Sequence, residues 1–168
     1  VSSFEAAGRT ASVSRTTNET DITLKLNVDG TGVSELETDV PFLNHMLDLF
    51  TKHGHFDLSV KAKGDIEIDD HHTVEDIGIC LGQTLREALG DKRGIKRYAS
   101  VFVPMDEALA QVVVDISNRP HFEYRAEYPS GQLDRSIPSW CTSFSGSWRL
   151  RRGLRCMSSF ITDRIPII

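Results

Sequence analysis

Three side chains able to hold a metal crowd into five residues: His71, His72 and Glu75, within the segment GDIEIDDHHTVEDIGICLG at 64–82. Imidazole and carboxylate together suit transition metals of the Mn, Fe or Zn kind. Residues three or four apart on a helix share a face, which puts each ring within reach of Glu75. Adjacent helical residues point about 100° apart, so the two rings do not easily face one ion. The arrangement reads as two neighbouring ions, each taking one ring. Asp69, Asp70 and Asp76 would then hold the other ring nitrogens or balance the charge. A plainer reading of the same residues is an acid-rich first turn stabilised by the helix dipole, with two exposed histidines beside it. His45, carried by another predicted helix, favours the metal. The cluster supplies too few ligands for two ions, so further partners are implied.

The elements that must position these residues follow from apolar spacing. TTNETDITLKLNVDG alternates at Ile22, Leu24, Leu26 and Val28. Together with GVSELETDV and the turn pair Asp29-Gly30 it predicts two antiparallel strands. Pro41 opens a helix whose apolar residues Phe42, Leu43, Met46, Leu47 and Phe50 recur at three- and four-residue spacing until Gly54, and His45 rides on it. HFDLSVKAKG predicts a strand with one buried face, which DIEI continues or follows with another. Ile77, Leu81, Leu85 and Ala88 define a second amphipathic helix ending near Gly90. YASVFVPMDEALAQVVVDIS and PHFEYRAEY return to strands. This order predicts an α+β fold in which the strand pair of a second copy begins near Lys96.

Bulk properties narrow the function. A chain of 168 residues that is 39% hydrophobic suffices for one domain with a buried core. Its net charge is −5, and it has no basic run interleaved with aromatics, so a small soluble ligand is expected rather than nucleic acid. No stretch approaches the roughly 20 apolar residues of a membrane span, and VSSFEAAGR has no signal-peptide core. Cys80, Cys141 and Cys156 are odd in number and unpatterned, which suits a reducing compartment. The expectation is a cytoplasmic protein without membrane contact.

RTTNET, FLNHML, GDIEIDDHHTVEDIGICLG and MDEALAQVVVDISNRP, in this order and spacing, resemble imidazoleglycerol-phosphate dehydratase, an enzyme of histidine biosynthesis. The resemblance runs from about Arg9 to Arg135. It implies a dehydratase-like domain of duplicated βαβ-type half-domains, ribosomal protein S5 domain 2-like, with the first half-repeat at 9–95 and the start of the second at 96–135. It also implies a homo-oligomeric 24-subunit shell and two Mn2+ ions per active site. In that family the substrate imidazole binds between the ions, a proton leaves the glycerol chain, and hydroxide departs to give an enol that becomes imidazole acetol phosphate. Matched residue by residue, His45, His71, His72 and Glu75 would be metal ligands and Glu19 of RTTNET the acid/base group. Arg97 and Arg119 would take the phosphate through forked hydrogen bonds, with Asp106 as a further substrate contact. Plainer readings stand beside these: an exposed strand residue for Glu19, and solvated turns for Arg97, Arg119, Asp106 and Glu107.

The chain changes character at Ser136. Residues 1–135 carry 14 basic and 23 acidic side chains, whereas 136–168 carry 5 and 1. From Ser136 there is no His, Lys, Glu, Ala or Val, while 7 of 33 residues are Ser and every basic residue is Arg. The family's second half holds another paired-histidine motif of the kind NTHHxxE, yet no histidine follows His121. Back-translated as C ATT ACG GAC AGA ATA CCC ATC ATA, the ending ITDRIPII regroups one base earlier to His-Tyr-Gly-Gln-Asn-Thr-His-His. The same regrouping of the residues from Ser136 permits a helical apolar period and then an alternating strand. It also accommodates both Trp codons and the Met codon, which have no degeneracy. The tail reads as frame-shifted by one lost base.

As written, with Pro138, Pro166 and scattered Ser and Arg, it is expected to build none of the helix, strand and helix the second half needs. A product made this way should be unstable and inactive, lacking about half its metal ligands. Two other functions fit the residues less well. One is a non-catalytic metal-binding or assembly module keeping only the first half; the other is a dinuclear phosphatase.

Overall fold

Alternation at Ile22, Leu24 and Leu26 generates a strand, β2 (Thr20–Asn27), whose apolar face is fully buried. Its partner β4 (Asp57–Gly64) runs antiparallel, and the register sets Ile22 opposite Ala62, Leu24 opposite Val60 and Leu26 opposite Leu58. Directly opposed apolar side chains on one face are what make an antiparallel pair cohere. The computed structural model describes residues 8–106, 108–117, 121–125 and 155–161, which form two compact units divided between Arg93 and Gly94.

In the first unit, β1 (Thr10–Thr16) forms an antiparallel hairpin with β2, and β3 (Ser34–Glu37) joins the far edge parallel to β4. The sheet order is β1-β2-β4-β3. Two helices complete the unit, α1 (Pro41–Gly54) and α2 (His71–Leu89), with α2 lying over β1, β2 and β4 and α1 packed on β3. The helices have the apolar spacing expected of them, and Val74, Ile77, Cys80 and Leu81 of α2 close the core over the sheet. Pro41 occupies the first turn of α1, where its missing N–H costs nothing.

Two expectations for this unit need correcting. The strands around Asp29-Gly30 run in opposite directions as expected but do not pair with each other, because β2 and β3 both pair with β4 and lie on opposite sides of it. The loop between them wraps the start of β4 instead. The Asp57 carboxylate accepts hydrogen bonds from the backbone N–H of Thr31 (2.8 Å) and Val33 (3.0 Å). A Cβ on Gly30 would lie 2.3 Å from the Asp57 nitrogen, so only glycine permits this approach. The residues DIEI extend no strand either. They turn, with Ile68 N–H bonded to the Asp65 carbonyl at 2.8 Å.

In the second unit, β5 (Tyr98–Met105) and β6 (Ala108–Asp115) form an antiparallel hairpin, turning at Asp106, which holds φ +50°. β7 is His121–Arg125 and β8 is Arg155–Ile161. β8 pairs antiparallel with β6 and parallel with β7, giving the order β5-β6-β8-β7. This strand corrects the expectation that 136–168 forms none of the missing elements. Backbone groups on the edges of β6 and β7 accept an added strand with little regard to its side chains, whereas a helix must supply an apolar face of its own. The remainder of that segment lies outside the described residues. Among those described, no helix is long and apolar enough to cross a membrane.

Candidate functional site

The first turn of α2 starts at His71, directly after Asp70 in the capping position. The Asp69 carboxylate accepts the His71 backbone N–H at 2.8 Å. That bond, then one to Asp70, holds the Asp69 carboxyl below the ordinary carboxylate range. His71 Nε2 lies 3.7 Å from Glu75 Oε2, one helical turn on, and both side chains are part-exposed. The two imidazoles diverge, with ring centres 6.3 Å apart and planes at 73°, as adjacent helical positions require.

His72 has a different partner. Its Nδ1 sits 3.1 and 3.3 Å from the two carboxylate oxygens of Asp65. The Asp65 hydrogen bond raises the His72 pKa against the opposing effect of burial, with further attraction from Asp65, Glu19 and Asp69. Asp65 reaches the helix because β4 ends against it: a Cβ on Gly64 would fall 2.0 Å from Thr73 Oγ1. Glycine here allows strand and helix to touch.

Glu19 stands on the short turn joining β1 to β2, exposed, with its N–H on Thr17 Oγ1 (3.1 Å) and its carbonyl accepting the Asp65 N–H (3.1 Å). The turn is tied to α2 from within. Asp76 accepts from Arg15 Nε at 3.0 Å and from the Thr20 hydroxyl at 2.5 Å, and it is nearly buried. Glu19, Asp65, His72 and the start of α2 therefore form one neighbourhood, whose charges act on His72 together.

The remaining predicted residues are distributed differently. His45 is exposed on α1, which packs on β3 while α2 packs on β1 and β2. Arg97 belongs to the second unit and makes a forked pair with Asp115, 2.8 Å from Nε and 3.2 Å from Nη2, which raises its pKa. Asp106 is an exposed turn residue of that unit. Arg119 and Glu107 lie outside the described residues.

Asp76 was expected to hold a ring nitrogen or balance the charge of an ion. Instead it points into the β1–β2 interface, since position 76 falls on the buried side of α2 beside Ile77. Asp65 takes that role for His72. Helical spacing could not reveal it, because residue 65 lies on the preceding turn; its only sequence signal is the Gly-Asp that ends β4.

By donor type these residues suit a divalent cation, and they come as two pairs, His71 with Glu75 and His72 with Asp65. Among the described residues no three such donors converge on one point. The donor types fit a cation, and one held at either pair would need further ligands beyond these four side chains.

The imidazoleglycerol-phosphate dehydratase family model matches residues 38–148. An imidazoleglycerol-phosphate dehydratase from Geobacillus sp. (strain WCH70) is 75% identical over 125 residues, covering 74% of this chain and 64% of the relative. The same-named protein of Bacillus subtilis (strain 168) is 71% identical over 119 residues, covering 71% and 61%. The crystal structure of imidazoleglycerol-phosphate dehydratase from Staphylococcus aureus superposes with a TM-score of 0.73 at 35% identity, covering 92% of this chain and 85% of that one. The chain thus spans somewhat less than two thirds of the length of the curated relatives it matches. With the Glu19 turn, the paired histidines and the duplicated sheet in place, the chain belongs to the imidazoleglycerol-phosphate dehydratase family.

Proposed function

We propose that this protein contributes to the elimination of water from imidazole glycerol phosphate, giving imidazole acetol phosphate in histidine biosynthesis. The observation that carries this reading is the convergence of Glu19 and the paired histidines at one end of α2, in a chain 75% identical to a dehydratase over 125 residues. Two Mn2+ ions are the metals inferred, with His71, His72 and Glu75 among their ligands and His45 entering from α1. When bound, the metal would drain charge from the substrate imidazole and so acidify the neighbouring C–H. Glu19 would take a proton from the glycerol carbon, the C–O bond on the adjacent carbon would break, and Glu19 would return the proton to the departing hydroxide, which leaves as water. The resulting enol returns to the ketone. Arg97 and Arg119 would bind the phosphate, with Asp106 nearby; for Arg97 this requires exchanging the Asp115 carboxylate for the ligand. A cytoplasmic homo-oligomer, 24-meric as the resemblance implies, completes the reading.

The second ligand set belongs to the tail. We infer that a base is missing at Ser136 and that the restored frame supplies the second histidine pair. A binding module without turnover is the competing reading, favoured by the lack of a complete donor set among the described residues. Two proteins separate these possibilities: the 168-residue chain and its frame-restored counterpart. The restored chain is expected to bind about two Mn2+ and release imidazole acetol phosphate, while the chain as written does not turn over. Turnover by both would sink the tail reading, and turnover by neither would sink the dehydratase reading. The mass of the C-terminal tryptic peptide checks which tail a cell makes: a peptide IPII after Arg164 means the written one.

A further inference from the structure

We propose that Asp65 is a positioning residue that fixes His72 as the Nδ1–H tautomer, leaving Nε2 as its lone-pair donor, and that also anchors the Glu19 turn. The inference rests on reading His72 as a ligand, but its first half can be measured without any metal. Both Asp65 oxygens face Nδ1, at 3.1 and 3.3 Å. A carboxylate can only accept there, so the neutral ring must carry its proton on Nδ1.

The residue itself is held on three sides through the backbone. Its backbone N–H donates to the Glu19 carbonyl at 3.1 Å, its carbonyl receives Ile68 N–H at 2.8 Å, and Gly64 seats the strand end against Thr73. A single residue thereby connects a ring that would bind metal to the turn carrying the proton-transfer group. Outer carboxylates of this sort set the orientation and basicity of ligating imidazoles. His71 instead has its Nε2 3.7 Å from Glu75 Oε2. The adjacent rings are consequently not equivalent.

The test uses the 168-residue chain with 15N-labelled histidine. Long-range 1H–15N spectra of the metal-free protein are recorded at a pH where imidazole is neutral, and His72 is assigned by its loss in His72→Gln. The expected result is an Nδ1–H tautomer for His72. Asp65→Ala should release it to a tautomer mixture, and Asp65→Asn, whose amide oxygen still accepts, should preserve it. Mn2+ titration of the frame-restored chain and the same variants made in it supplies the second readout. Asp65→Ala should weaken binding by about 10- to 100-fold, with Asp65→Asn much closer to the parent.

An Nε2–H tautomer in the parent overturns the proposal, as does a spectrum unchanged by Asp65→Ala. Equal loss of Mn2+ affinity in Asp65→Asn and Asp65→Ala, with the tautomer kept in the former, also overturns it by making Asp65 itself a ligand. If the parent shows the Nδ1–H form yet the frame-restored chain binds no Mn2+, the orientation by Asp65 stands and the metal reading alone fails.

Discussion

The two units share one plan and differ in what covers it. Each has a hairpin, a central antiparallel pair and a parallel edge strand, in the orders β1-β2-β4-β3 and β5-β6-β8-β7. In the first, two helices lie on the sheet, and Ile22, Leu24, Leu26 and Leu58 are removed from water altogether. In the second, Tyr98, Val101, Phe102 and Val103 of β5 each remain more than half exposed, and no helix is found among the described residues. Backbone pairing can specify a topology, but burial of an apolar face is what stabilises it.

The sharpest way to break this comparison is amide hydrogen exchange on the chain as written. Amides of β2 and β4 should exchange about 100-fold or more slowly than those of β5 and β6, and the counterpart carrying the regrouped sequence after Arg135 should show similar protection in both sheets. Equal protection in the written chain would mean that the second sheet is covered after all. A smaller but still large contrast comes from paired truncations. Leu24→Ala should cost about 2–5 kcal/mol in urea unfolding monitored at β4. Val101→Ala, at a half-exposed site, should cost about 0.5 kcal/mol.

Next in size is the clamp under the Glu19 turn. Asp76→Ala leaves Arg15 and Thr20 without their shared acceptor and should cost about 2–3 kcal/mol, with shifts confined to the first unit's amide spectrum. The smallest effect is one of pH. Burial alone would raise the Asp57 pKa, but hydrogen bonds from Thr31, Val33 and Asn27 outweigh it and bring it below the ordinary value. Because the folded-state pKa is depressed, this stabilisation is present above the usual carboxylate range and lost as pH falls through the folded value. Asp57→Asn should therefore flatten the acid limb of the first unit's stability curve and leave the second unit's unchanged.

How far the sequence revealed this molecule depended on whether a signal was local. Helix α1 from Pro41 to Gly54 and helix α2 up to Leu89 follow from apolar period and end signals alone. Strand β1 was not anticipated, since TASVSRT has a single large apolar residue and sits at a sheet edge where none is demanded. The strands flanking Asp29-Gly30 run antiparallel as expected yet do not pair, for a related reason: pairing is chosen by the best apolar ladder, and β4 offers Leu58, Val60 and Ala62 where β3 offers Leu36. In the site, helical spacing brought His71 to Glu75, whereas the contact of Asp65 with His72 needs the end of β4 laid against α2. Periodicity carries no such information.

The parallel pairing of β7 with β8 has a kinetic consequence. In the first unit the corresponding pair, β3 with β4, is bridged by residues 38–56, and in the second by residues 126–154. Loop-closure entropy grows only with the logarithm of length, so the longer bridge costs about 0.4 kcal/mol more. Strand β8 thus reaches its place beside β7 at almost the entropic cost that β4 meets beside β3, and the sequence separation of the two strands is no obstacle to their meeting.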